Sequence, residues 1–523
     1  MSAGSAVSAE GAVVAVATGS VEVRPAWSLV DVLVATCAAH PARVAVVEGE
    51  AAYSYWQLDR LSGEIAAGLA ARGVRPGQAV GLLAPRGWWR CAAVLGIWRA
   101  GAAVNSLDPA QPAARAARVV ELSGTALVLR GPGVAPGGYG VPEVEIGEVL
   151  LRGAQLTEEG PLGYVVTTSG STGDPKCVAV PTVVLADLAE WHCAGWRSAE
   201  LPRTSHAASV GFDVGYQELV ATWVAGAALV VADEEQRRDP FLLAELLHRH
   251  GVVRSFLPVT GLHALAVACA ATGRRLPALR EVVVAGERLV VNAEVRALFA
   301  TLDAELVNHY GPSETHLVTE HRLSGDPAGW PAHPALGGPA VGAELLREDG
   351  GLVRPFAEGE EAELLVAGRC LALGYLGDER LTAERFREVA GWDGVVRRVY
   401  ATGDRVRLAD GLLHFLGRGD DQLKVRGYRV EPGEVEAVLS RLPGVRRAAV
   451  VGRSRAGSTT LHGYLVLDPA AAGPDAAALR AACAAELPEY MIPARFLRVA
   501  ELPLLASGKV ARRELDGTGT PIR

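Results

Sequence analysis

The sequence predicts an α/β protein: a large N-terminal core of mixed, largely parallel sheets with packed helices, followed by a small α+β lid. Three observations carry this prediction. Helical patterns alternate with short apolar strands along the first part of the chain. After residue 355 the alternation gives way to shorter β-like runs. At 523 residues the chain is too long for one hydrophobic core and calls for roughly three compact units.

The elements follow in order. Residues 1–26, rich in Ala, Val, Gly and Ser, read as a loose leader. A helical pattern runs from Ser28 to His40, and an apolar strand covers 43–48. Tyr53 opens a second helix that runs through Ala71 and stops at Gly73. A strand at 79–84, a helix at 88–100 and a strand with its turn at 101–109 continue the alternation. Residues 162–166 read as the end of a buried strand. Beyond it come a helix at 219–223, a strand at 227–231, a helix at 239–250 and a strand at 255–257. Two more strands, 282–285 and the run from 305, end in polar turns at Gly286, Glu287 and 308–315. Past 355 the β-like runs are 362–367, 399–401, 406–408 and 412–416. The Gly- and Asp-rich stretch 417–421 interrupts them as a hinge. A helix at 434–439, strands at 445–451 and 460–467, and a helix at 475–486 make the lid. The resulting boundaries are leader 1–26, core 27–417, hinge 418–420 and lid 421–523.

Half of the residues are hydrophobic and 21% are charged, as in an ordinary globular enzyme, and the net charge of −8 argues against a nucleic-acid partner. No apolar run approaches the ~18 residues of a membrane span. Seven scattered cysteines without a C-x-x-C pair fit reduced thiols in a cytoplasmic setting and neither a zinc site nor a disulfide framework.

The most informative stretch is 165–178. Thr167, Thr168, Ser169, Ser171 and Thr172 interleave with Gly170 and Gly173, and Lys176 follows. Glycines let the backbone N–H groups converge, hydroxyls add donors, and the lysine adds a mobile charge, a combination suited to phosphate. A Walker A loop would need G-K-[ST], but Pro175 precedes Lys176 and Cys177 follows it. No G-x-G-x-x-G turn is present. Taken alone, the run reads equally well as a polar surface turn.

Its company decides. In order along the chain stand 101–112, 168–176, Phe212 with Asp213, 308–315, 374–386, 400–404, 417–427 and 502–509. With these motifs, over about residues 28–515, the chain resembles the adenylate-forming superfamily, specifically amino-acid adenylation domains of nonribosomal peptide synthesis. The resemblance implies that Thr168, Ser169, Gly170, Ser171, Thr172 and Gly173 cradle the ATP phosphates, with Lys176 near the β/γ groups. It places Tyr310 on adenine with Gly286, Glu287, Gly311 and Ser313 alongside, and gives Glu314 an Mg²⁺ ion. Asp404 would accept the ribose hydroxyls, and Arg418 would reach the ribose and phosphates. Lys509 would stabilise charge at the α-phosphate and the substrate carboxylate, and Asp420 would be the hinge of the lid. The chain departs from the family pattern at Cys177 and Ala362, where Gly is usual, at Ser507 for Asn and at Ser313 for Thr; none removes a catalytic charge. Cys177 reads as a small apolar filler, and Lys424 and Arg426 as lid surface.

By the same resemblance Asp213 holds the substrate α-ammonium, since a buried carboxylate lacking a cation is costly. The remaining pocket positions are Val214, Gln217, Phe256, Val283, Ala285, His309, Leu317 and Val318, closed by Lys509. This mostly apolar, uncharged wall looks like the family's pattern for L-proline; Gln217 and His309 can also close the floor by mutual hydrogen bonds. The implied activity is ATP-dependent formation of prolyl-AMP, then transfer to the phosphopantetheine thiol of a carrier protein. Because the chain ends at Arg523, that peptidyl carrier protein is expected to be separate. Another cyclic or small aliphatic amino acid, or acyl- or aryl-CoA ligation on the same fold, are the alternatives; a free-amine acceptor and a non-catalytic paralogue are further rivals.

Overall fold

Short apolar runs form the centres of two sheets in the first 380 residues. The computed structural model describes residues 28–152, 160–170, 174–196, 198, 201–425, 428–455, 458–469, 473–504, 510–515 and 517–522. The expected leader, residues 171–173, Arg426 and Lys509 lie outside them.

One sheet has nine strands. Its six central members, Glu305–Tyr310, Glu281–Ala285, Arg254–Pro258, Thr204–His206, Leu229–Val231 and Val44–Glu48, are mutually parallel, and antiparallel strands close both edges. Residues 282–284, three consecutive valines, are buried because helices cover both faces of a parallel sheet. A second sheet of seven strands runs parallel from Leu162–Thr168 through Ala103–Leu107, Ala79–Leu83 and Leu127–Arg130 to Glu143–Glu145. On its other side Lys176–Pro181 and Gly374–Leu376 add antiparallel strands. A third sheet, built on Ala343–Asp349, Glu361–Gly368 and Val396–Ala409, is antiparallel. The fold is thus mixed α/β, with a large N-terminal domain and a smaller C-terminal one. The smaller domain packs Pro432–Ser440 and Ala476–Glu486 around its own sheet and its own apolar cluster, which includes Val435, Leu439, Leu465 and Phe496. Among the described residues no helix is long and apolar enough to cross a membrane.

Two boundaries differ from the sequence reading for identifiable reasons. Tyr53 and Ser54 belong to a strand, Ala51–Ser54, paired antiparallel with Val44–Glu48 through a turn at Gly49 (φ 56°). The helix begins only at Tyr55, because Ser54 caps it: the Ser54 hydroxyl accepts from Gln57 N at 3.3 Å, and Gln57 Oε1 accepts from Ser54 N at 2.8 Å. The runs expected at 399–401 and 406–408 are one strand, Val396–Ala409. Gly403, at φ 74°, and register shifts on both sides let the strand continue through Thr402, Gly403 and Asp404.

The capping box yields a stability prediction. Ser54→Ala should lower unfolding free energy by about 1 kcal/mol, read as a shift of the denaturant midpoint at unchanged slope.

Candidate active site

The candidate residues gather at the carboxyl ends of the two parallel sheets, where open α/β sheets place their ligands. Leu162–Thr168 delivers Thr168, Ser169 and Gly170; a hairpin returns the chain to Lys176, paired across the ladder with Thr168. Gly170 has no substitute here, because a Cβ would lie 1.8 Å from the Asp174 carbonyl oxygen. Thr168 Oγ1 is buried without a hydrogen-bond partner. Glu281–Ala285 leads into Gly286 (φ 88°) and Glu287, and Glu305–Tyr310 leads into Gly311, Ser313 and Glu314. A Cβ on Gly311 would meet the His316 carbonyl oxygen at 1.7 Å, so the chain folds back on itself at this glycine.

The smaller domain closes on this edge with side chains that sequence reasoning missed. Ser169 Oγ donates to the Arg429 carbonyl at 2.9 Å and accepts from Glu431 N at 2.9 Å. Gly170 N donates to Glu434 Oε2 at 2.9 Å, Lys176 Nζ to Glu431 Oε1 at 3.1 Å, and Arg115 ion-pairs with Glu434. Arg429 Nη1 donates to Glu314 Oε2 at 2.8 Å, and the Tyr375 hydroxyl to Glu314 Oε1 at 2.7 Å. Three cations (Arg115, Lys176, Arg429) therefore face three carboxylates (Glu314, Glu431, Glu434), with Glu314 and Glu434 fully buried. Burial alone would raise the Glu314 carboxyl, but the Arg429 charge and the Tyr375 hydrogen bond outweigh it and hold it below its ordinary value. For Glu434 burial prevails over Arg115, and its carboxyl is raised.

A second cluster joins Tyr310, Asp404, Arg418 and Asp420. The Tyr310 hydroxyl donates to Asp404 Oδ2 at 2.6 Å, and burial followed by the Asp404 charge keeps that phenol well above its ordinary value, hence protonated. Arg418 Nη1 donates to Asp404 Oδ1 at 2.6 Å, while its Nε and Nη2 reach Asp420 at 2.6 and 2.8 Å. Arg418 thus ties the expected ribose carboxylate to the expected hinge residue. Lys424 is not open lid surface: it is half-buried, and burial lowers its ammonium.

The expected pocket residues divide. Val214, Phe256 and Val283 pack with Val307 as one small apolar cluster, next to Asp213, whose Oδ1 accepts from Val214 N at 2.8 Å. Ala285 ends the strand that carries Val283. Gln217 and His309 are buried and hydrogen-bonded to each other, Nε2 to Nδ1 at 3.3 Å. Leu317 and Val318 join the main core together with Tyr310. Cys177 is buried in an apolar cluster, and burial pushes its thiol up to about 12, which makes it inert as a nucleophile. Of the missed residues, Glu431 and Glu434 left one signal, two acids around the Pro432 that starts a helix. Tyr375 lies in the motif at 374–386 but carried no assigned role, and Arg115 and Arg429 left no signal, because their partners are distant in sequence.

This fold and site define a class. The chain belongs to the AMP-binding enzyme family, whose model matches residues 33–376; the AMP-binding enzyme C-terminal domain matches 434–509. It is 39% identical over 494 residues to a probable non-canonical nonribosomal peptide synthetase, CymA, of Salinispora arenicola, covering 92% of this chain and 6% of that protein. It is 34% identical over 505 residues to surfactin synthase subunit 1 of Bacillus subtilis, covering 92% and 13% respectively. The chain therefore spans a small fraction of these relatives' length. Among solved structures, holo-PA1221, a nonribosomal peptide synthetase protein containing adenylation and PCP domains, superposes with a TM-score of 0.80 at 27% identity, over 93% of this chain and 84% of that one.

Because the folded-state Glu314 carboxyl lies below its unfolded value, its contribution to stability is complete above about pH 4.3 and is lost as pH falls through the folded value. Glu314→Gln should destabilise the protein at neutral pH and flatten the loss of stability on acidification relative to wild type, measured by denaturant unfolding at stepped pH.

Proposed function

We propose that this protein activates an amino acid with ATP, L-proline by its pocket, and passes the aminoacyl group to the phosphopantetheine thiol of a carrier protein. The observation that carries this reading is the approach of Lys176, Glu314 and Asp404 from three different sheets, with Lys176 close enough to act on the Glu314 carboxyl and Asp404 held by the Tyr310 hydroxyl, together with Asp213 beside the apolar cluster of Val214, Phe256 and Val283. In the first step a substrate carboxylate oxygen forms a bond to the α-phosphorus while the bond to the pyrophosphate oxygen breaks. That attack requires no general base, so positioning and charge neutralisation do the work. The loop of Thr168 to Gly173 and Lys176 would receive the phosphates, Tyr310 the adenine with Gly286, Glu287, Gly311 and Ser313, and Asp404 and Arg418 the ribose. In the second step the thiol replaces AMP at the acyl carbon. The PCP domain beside the adenylation domain of PA1221 supports a carrier as acceptor.

Among the described residues no group of three or more His, Cys, Asp or Glu side chains forms a metal cage. A single carboxylate, Glu314, beside a phosphate loop fits Mg²⁺, which commonly binds through one or two carboxylates and substrate phosphates. When bound, the ion would neutralise phosphate charge.

The closed arrangement supports movement of the lid, for which we assign residues 418–420, with Asp420, as the hinge between a core at 27–417 and a lid at 421–523. Lys176 and the Gly170 N–H, the groups proposed for phosphate, hold carboxylates of Glu431 and Glu434. A polyanionic triphosphate cannot share those donors with two carboxylates, so the lid must swing away to admit ATP and bring Lys509 in.

Amino-acid-dependent ATP–pyrophosphate exchange tests the reading. Proline should support strong exchange and benzoate, which lacks the amine, none; Asp213→Ala should lower proline exchange on the order of a hundredfold. Exchange with a different amino acid would discard proline, and exchange with benzoate alone would discard the role of Asp213. Separately, Lys509→Ala should abolish adenylate formation but spare thiol transfer from supplied prolyl-AMP; equal loss of both steps would refute its assignment.

A further inference from the structure

Beside the residues proposed for the pocket, polar side chains form a continuous hydrogen-bonded chain, buried at His192, Gln217 and His309 and half-buried at Glu320 and Arg322. Gln217 Nε2 lies 2.8 Å from His192 Nε2 and 3.3 Å from His309 Nδ1. His309 Nε2 lies 3.0 Å from Glu320 Oε2, which also accepts from Trp191 Nε1 at 3.1 Å. Arg322 Nε donates to Glu320 Oε1 at 2.8 Å, and Arg322 Nη1 reaches Glu281 and Glu305 at 2.9 Å each. His192, Gln217 and His309 are all buried, and the edge of His192 meets Phe256 of the pocket wall, with ring centres 5.6 Å apart.

The donor inventory determines the protons. Glu320, paired with Arg322, is an acceptor only, so His309 Nε2 carries hydrogen. The Gln217 group facing His309 Nδ1 is the amide nitrogen, which can only donate, so Nδ1 accepts from it. Burial holds the His192 imidazole well below its ordinary value, so it is neutral and its Nε2 can accept the second amide hydrogen. With both N–H groups of Gln217 taken, its amide has only the carbonyl oxygen left to offer.

We propose that His192 and Glu320 are positioning residues for substrate selection: through His309 they clamp Gln217 so that the pocket floor presents a carbonyl acceptor and no free N–H donor. Such a floor receives a hydrocarbon ring and repels side chains ending in a further acceptor, carboxylates above all. This deepens the amino-acid-activation reading and rests on it. Glu320 sets the tautomer of His309, and His192 consumes the amide hydrogen that would otherwise face the substrate.

The test combines a spectroscopic and a kinetic readout on the full chain. In ¹⁵N-histidine NMR, with His309→Phe to assign the signal, His309 should show Nε2 as the hydrogen-bond donor and Nδ1 as the acceptor, as the contacts with Glu320 and the Gln217 amide nitrogen require. A doubly protonated ring, or a proton on Nδ1, would require the Gln217 amide to be turned over and would overturn the clamp. In exchange assays Glu320→Leu should raise KM for the preferred amino acid roughly tenfold with kcat nearly unchanged. Glu320→Gln, which keeps an acceptor for His309, should restore most of that loss. His192→Phe should free one amide N–H and raise exchange with glutamine and glutamate, relative to the preferred amino acid, roughly tenfold. Unchanged selectivity in folded His192→Phe would overturn the proposal, as would a parallel fall in kcat for all substrates. If Glu320→Leu does not fold, His192→Phe and the spectrum decide. Wild-type protein that exchanges with no amino acid would defeat the activation reading while the spectrum still judges the clamp.

Discussion

The contact between the two domains is built on six charges, four of them buried and two half-buried where the domains meet. Arg115, Lys176 and Arg429 face Glu314, Glu431 and Glu434, and their formal charges cancel. Removing ions from water is expensive and is recovered only when each finds a close partner with further hydrogen bonds. Here the recovery is shared across the domain boundary, since neither domain holds three charges of each sign by itself. In the proposed function Lys176 is also where a polyanion would sit, so the cluster would act both as a latch and as a competitor of the nucleotide. On that reading, a charge-neutral closed state broken by an incoming anion gives a physical basis for the proposed alternation of lid positions.

The proposed acid pocket follows a different logic. The Val214, Phe256 and Val283 assigned to its wall are apolar, while the Gln217 and His309 assigned to its floor belong to a hydrogen-bonded chain that ends in Arg322 and three carboxylates. Placing the charge one layer behind the pocket fixes orientation without offering a counter-ion to the substrate side chain. Asp213 is the acidic member of the residues assigned to the pocket, in keeping with its proposed role of holding an ammonium.

Much of this was legible in the linear chain, and the reason differs from residue to residue. The strands at 79–83 and 281–285 announce themselves because a strand buried on both faces reads as a nearly continuous apolar run, as in Ala79–Leu83 and the three valines 282–284. The stretch proposed for phosphate is legible because its run of glycines and small hydroxylated residues is unusual, and at Gly170 the structure leaves no room for a Cβ, which would lie 1.8 Å from the Asp174 carbonyl oxygen. The strand at 51–54 was obscured by Tyr53, Tyr55 and Trp56, aromatic residues that suit a helix start or an edge strand equally; the turn at Gly49 and the cap at Ser54 settle it. Val396–Ala409 looked like two strands because Thr402, Gly403 and Asp404 carry turn chemistry that the sheet absorbs as a bulge.

The sequence by itself determined the α/β architecture, the family, and the residue types that phosphate, ribose and ammonium require, because these rest on local periodicity and on motifs in fixed order. Only the tertiary structure decided that Glu431 meets Lys176, that Arg429 meets Glu314, that Glu320 meets His309 and that His192 meets Gln217. Those pairs are separated by up to 255 residues, and a charged or polar side chain carries no mark of its partner until packing removes the water that would otherwise serve it.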